Sequence, residues 1–382
     1  MRESRERSRA WRWPGRRWAL AVFAGASMLG TPAGSIARQE PADKPEAPQA
    51  PARPKTGDVM PQGFMVTPMG HVEVYGRGPI PLVLVAGLAC DWTVFRTFMV
   101  RNADRYTMYA CTLPGFGGTE PPELLEDVPD REKNPWNIML PNGLIALRLM
   151  IEEFGLDRPV VGGHGLGGHL ALLFALDHPE MTRAVVAIDG LPAMELGMME
   201  KHPTPQERRD HVERQVLRPM LDEDEQVFKT RMLGIARTTV IDKQRAEELA
   251  AMMNMPHRGV TMQYYIEYLI SDASGRMKDL KRPLLMLLPI EPLPLSLSER
   301  RRKFGLELIG TPPHTTVVFI PECKHFVMDD APLELDKLVD AFLQGQPVPG
   351  SFGVGHWDRP PGALPKGEPR APEPAGAAKQ GP

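Results

Sequence analysis

Apolar positions between residues 61 and 344 fall into two alternating patterns. Short β-rich runs occur at 63–67, 72–75, 82–86, 106–112, 159–163, 184–189, 284–288 and 316–320. Longer stretches with helical spacing lie at 92–100, 142–154, 167–178 and 333–343. Strands alternating with helices predict a mostly parallel sheet covered on both faces. Runs such as Leu82-Val83-Leu84-Val85 and Leu284-Leu285-Met286-Leu287-Leu288 are apolar at every position, as expected of strands buried on both sides. The stretch 191–280 breaks the alternation, with helical segments at 205–217, 242–253 and 262–271 and no clear strand. Inserted after one strand and before the next, it predicts a helical cap folded over the strand ends.

The two ends follow neither pattern. An arginine-rich start leads into an apolar run from Trp18 to Gly30 and then the small residues of Ser35-Ile36-Ala37. That order reads as a secretory signal over residues 1–37. A run of about 13 residues is shorter than the roughly 20 that span a bilayer. Arg16-Arg17 ahead of Trp18-Ala19-Leu20 also resembles a twin-arginine signal. The expectation is export, to periplasm or medium, with a retained N-terminal anchor as the alternative and no transmembrane segment beyond the signal. Residues 38–60 and 345–382, rich in proline with few core-forming side chains, read as a disordered linker and tail, serving as spacers or as binding segments.

Composition sharpens this picture in four places. A net charge of -3 gives no electrostatic reason to expect nucleic acid or an anionic membrane, so the partner is a small molecule or a protein. The methionines are concentrated in the middle of the chain, ten of them between Met194 and Met277. Adaptable thioethers there either line a pocket for an apolar ligand or fill the core between cap helices. Three cysteines, Cys90, Cys111 and Cys323, leave at least one thiol unpaired and imply no disulfide framework. The ten histidines include no close pair that would set metal ligands on one helix face, and no cofactor motif is found, so neither metal nor cofactor is expected.

The chemistry is concentrated in Gly162-Gly163-His164-Gly165-Leu166-Gly167-Gly168, where a buried strand enters a tight turn and an amphipathic helix follows. This resembles the nucleophile elbow Gly-x-Ser-x-Gly of the α/β-hydrolase fold superfamily. Gly163 and Gly167 hold the small flanking places, and glycine, Gly165, stands where the family has its serine. Three further segments follow the family's order. Leu84-Val85-Ala86-Gly87-Leu88 resembles the oxyanion strand, with Ala86 replacing histidine. Leu113-Pro114-Gly115-Phe116-Gly117-Gly118-Thr119 resembles the Asp-x-Pro-Gly-x-Gly-x-Ser loop, with Thr112 at the aspartate place. Ile320-Pro321-Glu322-Cys323-Lys324-His325-Phe326 resembles the loop that carries the catalytic histidine.

The resemblance covers residues 63–344 and implies the α/β-hydrolase fold, a mostly parallel central sheet with helices on both faces and an inserted helical cap. It implies that His325 is the general base, unless it is merely an exposed loop histidine, and that Leu88 and Leu166 offer backbone N–H groups to an oxyanion. The acid that holds the imidazole would be Glu291, after the strand preceding the histidine loop, with Asp189 as second choice. His164 is expected to be structural.

With Gly165 at the elbow the covalent acyl route is closed. Three readings follow. The first is a hydrolase homologue, impaired or inactive, that binds a small apolar ligand under the cap or a protein partner, because Ala86, Thr112 and Gly165 depart from the family pattern together. The second is an enzyme in which His325 with Glu291 activates water on an ester or similar small apolar substrate. The third recruits the thiol of Cys90, which would require a depressed pKa.

Overall fold

The computed structural model describes residues 68–122, 138–194, 203–291, 303, 305–310, 312 and 314–354. The expected signal, the linker and the run at 63–67 lie outside these residues, as does the chain beyond 354. No helix among the described residues is long and apolar enough to cross a membrane.

Among the described residues, eight strands form one sheet in the order β1-β3-β2-β4-β5-β6-β7-β8. They are β1 His71–Tyr75, β2 Ile80–Val85, β3 Tyr106–Thr112, β4 Val160–His164, β5 Ala184–Ile188, β6 Leu284–Ile290, β7 Thr315–Pro321 and β8 Ser351–Val354. Strands β2 to β7 pair in parallel, and only the edges are antiparallel, β1 on β3 and β8 on β7. The consecutive apolar runs have the expected cause. Leu82, Leu84, Leu285 and Leu287 pack into the core on one face, while Val83, Val85, Leu284 and Met286 pack into the core on the other. Each strand therefore alternates between two dry faces and needs no polar side.

One face is covered by α1 Arg96–Asn102 and by α9 Pro332–Leu343, the other by α2 Met139–Glu153 and α3 Leu166–Asp177. Helix α3, expected to be amphipathic, is instead buried continuously from Leu166 to Ala175 and carries no polar stripe.

The insertion forms a helical cap: α4 Pro205–Val212, a π turn Glu213–Leu217, α5 Arg218–Asp222, α6 Glu225–Thr239, α7 Lys243–Met253 and α8 Arg258–Ile270. Its two ends meet in one antiparallel bridge, Ala193 to Asp272. Glu267 of α8 ties it to the sheet domain: the buried carboxylate accepts from the N–H groups of Ile138, Met139 and Leu140 at the start of α2, at 2.9–3.0 Å. Helix α6, the longest in the cap, is absent from the sequence reading. Its Asp224 cap accepts from the Val227 N–H at 2.8 Å, a start signal that was available. Val227, which is exposed, and Ile235, which is exposed while bordering the cavity described below, blur the amphipathic stripe.

The tail boundary is corrected. Residues 351–354, expected to be unstructured, form β8 against Thr315–Val318 of β7. Without it β7 would present an unpaired edge, and Ser351–Val354 satisfies those backbone groups.

Candidate active site

Strand β4 ends at His164, the chain reverses at Gly165, and α3 begins at Leu166. Gly165 has φ +54° and ψ -117°, a left-handed conformation that side-chain-bearing residues adopt only under strain. The flanking glycines are required sterically. A β-carbon on Gly163 would stand 2.4 Å from the Gly167 carbonyl carbon, and one on Gly167 would stand 2.0 Å from the Val85 oxygen. The sequence-predicted elbow is therefore present, with Gly165 at its apex.

Strand register places the acid. His164 pairs with Ile188, so Gly165 and Asp189 leave the sheet side by side, and the Gly165 N–H donates to the Ile188 oxygen at 2.9 Å. Gly190 and Gly168 then approach so closely that a β-carbon on Gly190 would lie 2.5 Å from the Gly168 Cα. That contact draws the β5 turn, with Asp189 at φ +47°, against the elbow.

His325 arrives on the loop after β7. Its Nδ1–H donates to Asp189 Oδ2 at 2.5 Å. The first choice of acid is thus corrected: Asp189, not Glu291, holds the imidazole. Strand β6 continues to Ile290, two residues past its predicted end, and Glu291 follows it on the strand beyond β5, whereas Asp189 stands on the strand adjacent to the elbow. Glu291 still lines the cavity described below.

The histidine loop is gripped from both sides. His164 Nε2–H donates to the His325 carbonyl at 3.1 Å, and its ring lies 4.2 Å from the His325 ring and 4.6 Å from that of Phe326, centroid to centroid. Burial, with the neighbouring His325, holds His164 well below the usual histidine range, so it is neutral, as a structural role requires. From the cap, the Thr239 carbonyl accepts from the Phe326 N–H at 3.1 Å, and the Ile241 N–H donates to Asp330 Oδ1 at 2.9 Å. His169, on α3, links the two ends of the cap: its Nδ1–H donates to the Leu191 oxygen at 2.9 Å and its Nε2 accepts from the Ser271 hydroxyl at 2.8 Å.

Leu88 and Leu166 stand at the cavity wall beside His325, where the oxyanion donors are expected. Leu166 is the first residue of α3, and an N–H in a first turn has no intrahelical acceptor. Thr112, at the aspartate place, is buried and accepts from the Trp92 N–H at 3.0 Å, a loop-holding role.

Between cap and sheet lies a cavity of about 450 Å³ bordered by Asp189, His325, Leu166 and the cap side chains Met220, Phe228, Met232 and Met253. Its size is that of cavities enclosing drug-sized ligands, about 300–1,000 Å³. Both expectations for the methionines hold in part: Met194, Met220, Met232 and Met253 line the cavity, while Met262 packs into the core. Cys90 also lines it, but burial, reinforced by Asp91, pushes the thiol up to about 12, the opposite of what a nucleophile needs. All three cysteines are free and buried.

Residues 82–338 match the sequence profile of the Alpha/beta hydrolase family. Over 125 residues the chain is 26% identical to 2-(acetamidomethylene)succinate hydrolase of Mesorhizobium japonicum, covering 33% of this chain and 40% of that protein. Over 124 residues it is 27% identical to a soluble epoxide hydrolase of a Corynebacterium species, covering 32% and 39%. The matched segments thus span about 40% of these relatives' length. A hydrolase from Pseudomonas aeruginosa PA01 has a similar structure, with TM-score 0.55 and 14% identity over 75% of this chain and 96% of that one. At that identity the likeness bears on the fold alone.

Proposed function

The chain belongs to the alpha/beta hydrolase family, and from that premise we propose that it hydrolyses an ester or similar small apolar substrate without a covalent acyl-enzyme, using His325 as a general base oriented by Asp189. The observation that carries this reading is the 2.5 Å hydrogen bond from His325 Nδ1 to Asp189 Oδ2, beside Gly165 and at the wall of a capped cavity. With Nδ1 donating, the Nε2 lone pair is left to accept a proton.

In the reaction, Nε2 takes a proton from water as the water oxygen bonds to the substrate carbonyl carbon. Negative charge moves to the carbonyl oxygen, where the N–H groups of Leu88 and Leu166 meet it. The carbonyl re-forms as the bond to the leaving group breaks, and the imidazolium returns its proton to that group. Asp189 fixes the tautomer and stabilises the imidazolium between these steps.

A second reading, ligand binding without turnover, draws on the joint departures at Ala86, Thr112 and Gly165. Against it, decay of the site would not require an acid–histidine pair to stay aligned at the elbow. The test is hydrolysis of short p-nitrophenyl acyl esters by the purified chain and by His325→Ala. The proposal expects turnover that falls by about 100-fold or more in the variant, the scale of general-base catalysis. Turnover unchanged in the variant, or no turnover by the parent, defeats it. Export is also proposed, on the basic start and short apolar run of residues 1–37.

A further inference from the structure

Helix α8 crosses the cavity and presents Tyr265 and Tyr268 to it, three residues apart and so on one helix face. Tyr268 is 5% exposed, and its ring lies 5.2 Å from that of His169, centroid to centroid, which fixes its plane. Among the described residues neither phenol hydroxyl has a hydrogen-bond partner, whereas the phenol of Tyr264, on the other side of the helix, donates to the Pro114 oxygen at 3.2 Å. Tyr265 is half-buried and neither hydroxyl is sealed from the cavity, and phenols in such places ordinarily find a partner in water or a ligand. Two that face a cavity without one are placed for a ligand.

The surroundings specify the ligand's chemistry. Burial raises both phenols above their usual range, with the Asp189 carboxylate adding to the rise at Tyr268, so both are neutral hydroxyls that can donate. The cavity's arginine, Arg231, is engaged by Glu223, with Nε donating to Oε2 at 3.2 Å. It therefore holds no uncommitted charge for a carboxylate or phosphate. Most of the remaining lining is apolar, with methionine, leucine, isoleucine and phenylalanine prominent in it.

We propose that Tyr265 and Tyr268 are specificity-determining residues that bind a second, neutral oxygen on the ligand, so that the cavity selects an apolar molecule carrying a keto, hydroxyl or ether oxygen in addition to the carbonyl held at Leu88 and Leu166. The inference rests on the proposed function for the placement of the first carbonyl, but not on turnover. A plain alkyl ester would satisfy the donors at the elbow but, on displacing water from the cavity, would leave the two phenol hydroxyls unpaired, which a polar site penalises.

The experiment is calorimetric titration of the full chain with 3-dodecanone, a ketone that offers the same carbonyl but has no leaving group, and with diketones carrying a second carbonyl two, four or six carbons further along the long chain. One diketone is expected to bind at least about 10-fold more tightly than 3-dodecanone. In Tyr265→Phe or Tyr268→Phe, each of which removes only the hydroxyl, the ratio of the two affinities is expected to fall to within about two-fold. A flat series, weak or tight, overturns the inference, and so does a preference that survives in both phenylalanine variants. Because the readout is binding, it separates the two claims. Oxo-selectivity without His325-dependent turnover defeats the catalytic reading alone, and turnover without oxo-selectivity defeats this one alone.

Discussion

The imidazole of His325 lies 3.0 Å (Cε1) and 3.1 Å (Nε2) from the point where a β-carbon on Gly165 would stand. Such a separation is tighter than nine in ten real β-carbon contacts, so the ring sits closer than a side chain at 165 would comfortably allow. Forming a side chain at 165 requires His325 to retreat by a few tenths of an ångström. The glycine and the forward histidine are one feature: the ring occupies space that a serine would claim.

Gly165→Ser follows directly. At φ +54° a side-chain-bearing residue carries about 1–3 kcal/mol of strain, and Gly165→Ala, which meets the same ring, should lose a similar amount. Thermal melts should fall by several degrees in both. Incubated with a p-nitrophenyl ester, Gly165→Ser should gain an acyl adduct visible by intact-mass spectrometry, and the parent chain should not. Absence of an adduct in the serine variant would mean that His325 cannot serve a side chain at that position.

The pH dependence of stability comes from buried groups whose shifts oppose one another. Burial lowers His169 to about 4 from an ordinary 6.5. The unfolded chain therefore binds the proton first as pH falls, and stability rises with pH between about 4 and 6.5, by about 3 kcal/mol in all. Burial raises Glu267 to about 7 from 4.5, so there the folded chain binds the proton first, and stability falls as pH rises from about 4.5 to 7. Denaturant midpoints measured from pH 4 to 7 should stay nearly level in the parent, fall with rising pH in His169→Gln and rise with pH in Glu267→Gln. The reverse ordering would contradict these environments.

Cys90 supplies a negative prediction. With its thiol buried and pushed up to about 12, it should resist an aromatic disulfide reagent in the native chain and react only after unfolding. Cys90→Ser should keep the His325-dependent rate. Rapid labelling with parallel loss of that rate would assign the nucleophile to the thiol.

How much of this was legible in the sequence differs by element. Strands β2 to β7 were, because two buried faces leave consecutive apolar runs that no other structure explains, as in Leu284–Leu288. The elbow was, because steric demands at Gly163 and Gly167 leave a spaced glycine pattern. The acid was not. Choosing Asp189 over Glu291 depends on which strand lies next to β4, and adjacency arises from crossover connections that leave no local mark. A carboxylate at the carboxyl end of a parallel strand, followed by Gly190, was the available sign, since sites collect at those ends. Strand β8 was hidden for a related reason: four residues among prolines become a strand only because β7 offers an open edge.

The central claim is that His325 and Asp189 act as a unit over Gly165, and a double-mutant cycle on kcat/KM tests it most directly. Asp189→Asn and His325→Ala should each lower kcat/KM for the ester that turns over best by about 100-fold or more, and the double variant should be no slower than His325→Ala alone, because a positioning acid has nothing to hold once the imidazole is gone. Multiplicative losses, or an Asp189→Asn variant as fast as the parent, would contradict the account.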